Sequence, residues 1–270
     1  MQMAAFVVTV GGTLPMNSDE GLPAVRGASF QPTHWTLVLK AAQSNAPGAA
    51  SALAELCQLY WYPLYVFARR RGRSPDDAQD LTQGFFLQLL DKRVLTAADQ
   101  QKGKFRSFLL TTFQHYISGE LDRAGCLKRG GGCEFVSLDF QSAEGRYKQE
   151  PVDKTLTAEQ LFDARWALTL LNRAMDLLGQ EYAVRGRATT FQILKTFVEN
   201  SDTTPSYEAA ALALGIRLGA TKTLIHRLRK QYTAILRKEI ARTVSDTGEV
   251  EPEIHALCEA LIASKGQLEP

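Results

Sequence analysis

The stretch SPDDAQDLTQGFFLQLL, residues 74–90, carries a helix start signal and two unlike faces. Ser74 stands where a side-chain oxygen can accept from the free N–H groups of a first turn. Pro75 suits the first helical position, because its ring presets φ and its missing N–H is not needed there. Asp76 and Asp77 put negative charge at the positive end of the helix dipole. On a helix, Leu81, Phe85 and Leu89 share an apolar, core-facing stripe. Asp80, Gln83, Gly84 and Leu87 share another, polar at its start and bare at the glycine. Taken alone, that second stripe reads as a solvated face, although a glycine there also lets a foreign helix approach closely.

Working outward, the same periodicity extends in both directions. Upstream, ASALAELCQLYWYPLYVFARRR (50–71) places Leu53, Leu56, Tyr60, Leu64 and Phe67 at helical intervals, with Pro63 expected to bend the helix. Before it, Thr33 is an expected N-cap for a helix through Trp35 and Leu37. Downstream, GKFRSFLLTTFQHYISGELDR (103–123) predicts a further helix. Next comes CLKRGGGCEFVSLDFQSAEGRYKQEPVDKT (126–155), whose three consecutive glycines, charges and Pro151 read as a linker. Only FVSLDF within it alternates like a strand, and a lone strand has no sheet to join. Helical pattern resumes at TAEQLFDARWALTLLNRAMDLLGQEY (157–182), where Thr157 and Gln160 stand at capping-box spacing. The expectation is an all-α chain of two helical domains on a flexible tether. Its boundaries are a disordered leader over 1–28, a first domain over 29–125, a linker over 126–156, a second domain over 157–244 and an acidic extension over 245–270.

Bulk composition is ordinary for a globular protein, with 45% hydrophobic and 22% charged residues. The net charge of +2 says nothing about partners, so any basic surface must arise from segregation of charge. Four scattered cysteines, without CxxC spacing, read as free thiols in a reducing cytoplasm. No apolar run approaches the ~18 residues that cross a bilayer. A cytoplasmic chain that does not insert into a membrane is expected.

Segregation is found in LGIRLGATKTLIHRLRKQY (214–232). A short helix, YEAAALALG, closes on Gly215, and a longer one follows from about Ala220. Small Ala211, four residues before Gly215, allows the close crossing that a helix-turn-helix needs. Leu224, Ile225, Leu228 and Tyr232 form the buried stripe of the second helix, which leaves Lys222, Thr223, His226 and Arg227 to reach outward. Residues 216–242 hold eight Lys or Arg against one Glu. Such a helix suits DNA, where cations displace phosphate counterions and residues near the helix start touch base edges.

These stretches, in this order, resemble the extracytoplasmic-function sigma factors, small bacterial promoter-specificity subunits. Asp77, Ala78, Asp80, Leu81, Thr82, Gln83 and Phe86 match that family's D-A-x-D-L-x-Q-x-x-F polymerase-binding pattern. LYWYPLYVFARRR is similar to the region before it, GKFRSFLLTTFQHYISGELDR to the regions that melt and read the −10 element, and PSYEAAALALGIRLGATKTLIHRLRKQY to the −35 reader. The resemblance covers roughly residues 30–125 and 160–243. It implies that Asp77, Asp80, Leu81, Gln83, Gly84, Phe86 and Leu87 bind core RNA polymerase at the β′ clamp helices, with the β flap as a second contact.

For the −10 strand, Lys104, Arg106, His115, Tyr116 and Arg123 are the expected DNA contacts. Exposed bases need aromatic platforms, polar edges and backbone cations, while Phe105, Phe108 and Phe113 are assigned to the core. For the −35 element the contacts are Arg217, Ala220, Thr221, Lys222, Thr223, His226, Arg227 and Lys230. Promoter DNA and core polymerase are the implied partners, with an anti-sigma protein or another regulator as a third. Three positions depart from the family. His115 stands where an Asn is usual, Gly84 where many relatives carry Glu, and Thr221 where an aliphatic residue is common.

Chemistry of its own is not expected. The chain has no HExxH, GxSxG, phosphate-loop or dinucleotide motif, and charge–dipole stabilisation accounts for Asp76, Asp77 and Asp80 without a metal. The reading is of a non-enzyme without cofactor or metal. A rival is a stand-alone helix-turn-helix repressor or activator that does not depend on core polymerase. The tail from Asp246 to Ile262 holds five acids and no Lys or Arg, and EPEIHALCEALIAS (251–264) at its end reads as a small amphipathic helix. Two readings stand for it, a fold back on the cationic second domain that restrains it, and a merely solvated acidic helix.

Overall fold

Every regular element among the described residues is a helix. In chain order these are α1 (Ala49–Arg70), α2 (Pro75–Leu89), α3 (Phe105–Ala124), α4 (Phe140–Gln149), α5 (Ala158–Val184), α6 (Ala188–Leu194), α7 (Thr196–Glu199), α8 (Tyr207–Leu214), α9 (Leu218–Ala241) and α10 (Val250–Ala263), with a 3-10 turn at Thr247–Glu249 before the last. The computed structural model describes residues 49–89, 104–124, 140–149, 156–199, 204–244, 246–264 and 268. The expected leader, the helix capped by Thr33, and Cys126 and Cys133 lie outside the described residues. Among the described residues no helix is long and apolar enough to cross a membrane.

Local start and stop signals act as the sequence predicts. The Ser74 hydroxyl accepts from the Asp77 N–H at 3.1 Å and opens α2. At the head of α5 the capping box is complete, with Thr157 accepting from the Gln160 N–H and the Gln160 side chain accepting from the Thr157 N–H. Helix α8 starts on a Ser206 cap and ends on Gly215, whose φ of +65° is the left-handed conformation that a side chain disfavours. Helix α1 runs without interruption through Pro63.

Two hydrophobic cores share one long helix. At 27 residues α5 is about 40 Å long. Its first half packs Leu161, Phe162, Trp166 and Leu170 into a core with α1, α2 and α3. There Trp166 stacks on Tyr60 at 4.3 Å between ring centroids, and Phe105 meets the same tyrosine edge-on. Cys57 is buried in this core, and burial pushes its thiol up to about 12. The second half of α5 gives Ala174, Leu178 and Tyr182 to the other core, with Phe191, Leu194, Phe197, Ala210, Ile225, Leu228 and Tyr232.

The expected boundary at 157 therefore falls inside the first core. An ion network adds to the shared helix. Arg173 of α5 bonds Glu55 of α1 and Glu239 of α9, and Arg242 reaches the same two carboxylates. Within the 126–156 stretch, residues 140–149 differ from a flexible linker, because they form α4, which is docked. Ala143 is buried against the first core with Tyr147 beside it, and Glu144 accepts from Tyr65 and Arg69. Burial alone would raise the Glu144 carboxyl, but those hydrogen bonds outweigh it and hold it below its ordinary value. Two apolar residues four apart make a stripe too short for periodicity to register beside three glycines. Phe140, the end of the stretch that alternates like a strand, is the first residue of α4.

The acidic tail forms the expected amphipathic helix, α10, with Leu257 buried and Val250, Ile254, Ala260 and Leu261 packed against the first core. It touches α9 through an exposed pair, Arg237 and Glu251. Its buried carboxylate, Glu253, goes elsewhere, to Lys104 and Arg106 at the start of α3.

Candidate nucleic-acid interface

Helix α9 presents the larger set of exposed polar groups. Ile225, Leu228 and Tyr232 point into the second core, so the opposite side of the helix faces solvent. On that side Ala220, Lys222, Thr223, His226, Arg227 and Lys230 are all exposed, as is Arg217 at the N-cap. The spacing 222–223–226–227–230 winds along one face, so these groups line a single strip of surface. Lys222 lies 5.7 Å from the centre of the Tyr207 ring, which joins α8 to the same surface. Arg229 is turned away from it, donating twice to the Phe197 carbonyl and tying α9 to α7.

One expected member of this strip is not on it. Thr221 is fully buried, and its hydroxyl donates to the Arg217 carbonyl at 3.3 Å. Its burial fits the position, where an aliphatic side chain would do the same packing. Thr221 is thus a correction to the DNA-contact set.

On α2 the two stripes separate as the sequence predicts. Phe85 and Leu89 are buried, and Leu81 packs partly against them. Asp77, Asp80 and Leu87 are exposed, with Gln83 half-buried between them. Two residues expected at a polymerase surface lie differently. Phe86 is buried beside Phe85, with ring centroids 5.9 Å apart, and has no surface to offer. Gly84 is not bare, because the Tyr116 hydroxyl of α3 fills the space where a Cβ would stand.

The expected −10 contacts fare worst. Phe105 and Phe113 are fully buried and Phe108 partly, as assigned to the core. Tyr116 packs over α2, 5.9 Å from Phe85 ring to ring, so it is not a free stacking platform. Arg106 is buried with its guanidinium between Asp163 of α5 and Glu253 of α10, the latter at 2.5 Å. Burial works against its charge, yet the two carboxylates raise its pKa above the ordinary arginine value. Lys104 holds Glu253 at 2.6 Å. Of the five, His115 is exposed, and Arg123 lies on the last turn of α3.

Glu253 itself has no solvent exposure. Burial would raise its carboxyl, but hydrogen bonds and charge from Arg106 and Lys104 prevail and lower it. Asp163 moves the other way, with burial outweighing Arg106 and raising it. The pair Asp163 and Glu253 is what sequence reading missed. The two acids stand 90 residues apart, and only folding brings both to Arg106.

The exposed side of α9 is thus cationic, and the Asp77–Asp80–Leu87 side of α2 faces solvent. No family model, curated protein or solved structure matches the chain.

Proposed function

We propose that the chain is a sigma subunit of the extracytoplasmic-function type, which binds core RNA polymerase and directs it to promoters. The observation that carries the reading is the exposed strip on α9, four cations and two polar side chains mounted on a helix whose other face is fixed in a core. In this reading α9 enters the −35 major groove, with Arg217, Lys222 and Lys230 on phosphates and Thr223, His226 and Arg227 at base edges. Asp77, Asp80, Gln83 and Leu87 on α2 dock the β′ clamp helices. The protein performs no chemistry and works in the cytoplasm, where the polymerase is.

One observation favours the second reading, a stand-alone helix-turn-helix regulator. Among the described residues the α9 strip has its cations open, whereas Lys104, Arg106 and Tyr116 of the −10 set are paired or packed. Transcription decides between them. The purified chain is mixed with bacterial core polymerase on a genomic DNA library, and run-off transcripts are mapped. Co-elution with core and discrete start sites are expected. Tight binding to a DNA site without core association would establish the regulator instead.

A further inference from the structure

The start of α3 is held by the C-terminal part of the chain at three successive residues. Lys104 pairs with Glu253, the Phe105 N–H donates to the Thr243 carbonyl at 3.1 Å, and Arg106 pairs with Glu253 and Asp163. A carboxylate with no solvent exposure, set between a lysine and an arginine, fills the position that a phosphate group would take between the same two cations.

The rest of the attachment of α10 is apolar packing along α5 and the first core, with the exposed Arg237–Glu251 pair to α9 beside it. The 14 residues of α10 are few for a helix to persist alone, and Ile262 stays largely exposed. The Arg237–Glu251 pair is exposed on both sides and contributes little. Leu257 and its partly buried neighbours supply the apolar part. Glu253 is thus a buried charge whose desolvation is offset only while Lys104 and Arg106 face it. A polyanion that engages those cations removes that compensation and loosens the helix that carries Glu253.

We propose that α10 is an intramolecular cover over the start of α3, in which Glu253 takes the place of nucleic-acid phosphate and must leave before Lys104 and Arg106 can bind DNA. The proposal rests on the promoter-binding reading and adds its regulation, with the first core rather than the cationic helix-turn-helix as the target of the acidic tail. Asp163 stays on α5 and keeps a hold on Arg106, so Lys104 is the first cation freed.

The test uses the full chain with bacterial core polymerase and a fluorescent fork-junction DNA bearing a single-stranded segment. Glu253→Gln should bind this DNA about fivefold or more tightly than the parent. Its log–log salt slope should steepen by about 0.7 for Lys104, and about 1.4 when Arg106 joins. Adding Lys104→Ala to Glu253→Gln should take back about 0.7 of the steepening, the share of Lys104, which mere loosening of the fold would not do. Hydrogen exchange on the unaltered chain decides the matter even where Glu253→Gln fails to fold. Amides of 250–263 should exchange faster once core and DNA are bound. DNA bound by parent and variant alike, with equal slopes and unchanged exchange in α10, overturns the cover and leaves the promoter reading intact. Failure of the parent to engage core or DNA overturns both.

Discussion

Helices α3 and α9 both carry cations and aromatic residues in helical register, yet the fold uses them in opposite ways. On α3 Arg106 is buried between carboxylates and Tyr116 fills a glycine gap on α2. On α9 the cations at 217, 222, 227 and 230 stand exposed, while the apolar side of the helix packs inward. The difference teaches that cation content does not mark a binding surface. A cation becomes available only where no acid from elsewhere in the chain has been brought to it, and that is decided by tertiary packing.

The largest effect expected from this contrast is on stability. Arg106→Ala removes the partner of two carboxylates, one of them without solvent exposure, and should destabilise the fold by about 3–5 kcal/mol in urea denaturation. A loss under about 1 kcal/mol, the range of exposed ion pairs, would mean that Arg106 is solvated and that the contrast with α9 is false.

Arg227→Ala is the counterpart. Its side chain is exposed, so stability should change by no more than about 0.5 kcal/mol. Binding to a cognate −35 duplex should weaken by about 1–3 kcal/mol where the guanidinium meets a guanine edge. The two readouts separate by titration and melting of one protein preparation. An Arg227 variant that melts early and binds DNA unchanged would reverse the assignment of the two helices.

How much of this was legible in the sequence follows the same division. Helix starts at Ser74 and Thr157 and the stop at Gly215 are local, and each is readable within four residues. The strips on α2 and α9 are legible because a period of 3.6 sorts faces once one side is apolar. Thr221 escaped because its short side chain is as good in a core as on a surface, and only the packing around it decides. Arg106 and Lys104 escaped because their partners lie on α5 and α10, 57 and 147 residues from Arg106. The docking of α4 escaped because its apolar stripe is two residues long.

Gly84 gives the smallest and sharpest comparison, since it joins the two helices whose expected roles differ most. A glycine inside a helix is worse than alanine by about 1 kcal/mol, so Gly84→Ala should stabilise α2 were the space empty. The Tyr116 hydroxyl occupies that space, while the ring carbon behind it sits at 3.4 Å, an ordinary contact. Gly84→Ala in the parent must therefore push the tyrosine aside, and the two effects should nearly cancel. In a Tyr116→Phe background the obstructing oxygen is gone, and the same alanine should gain about 1 kcal/mol. Because the effect of Gly84→Ala is compared between backgrounds, other interactions of the hydroxyl drop out of the difference. Equal effects in both would place Tyr116 away from α2, free to stack on a base, and would return α3 to the open class that α9 represents.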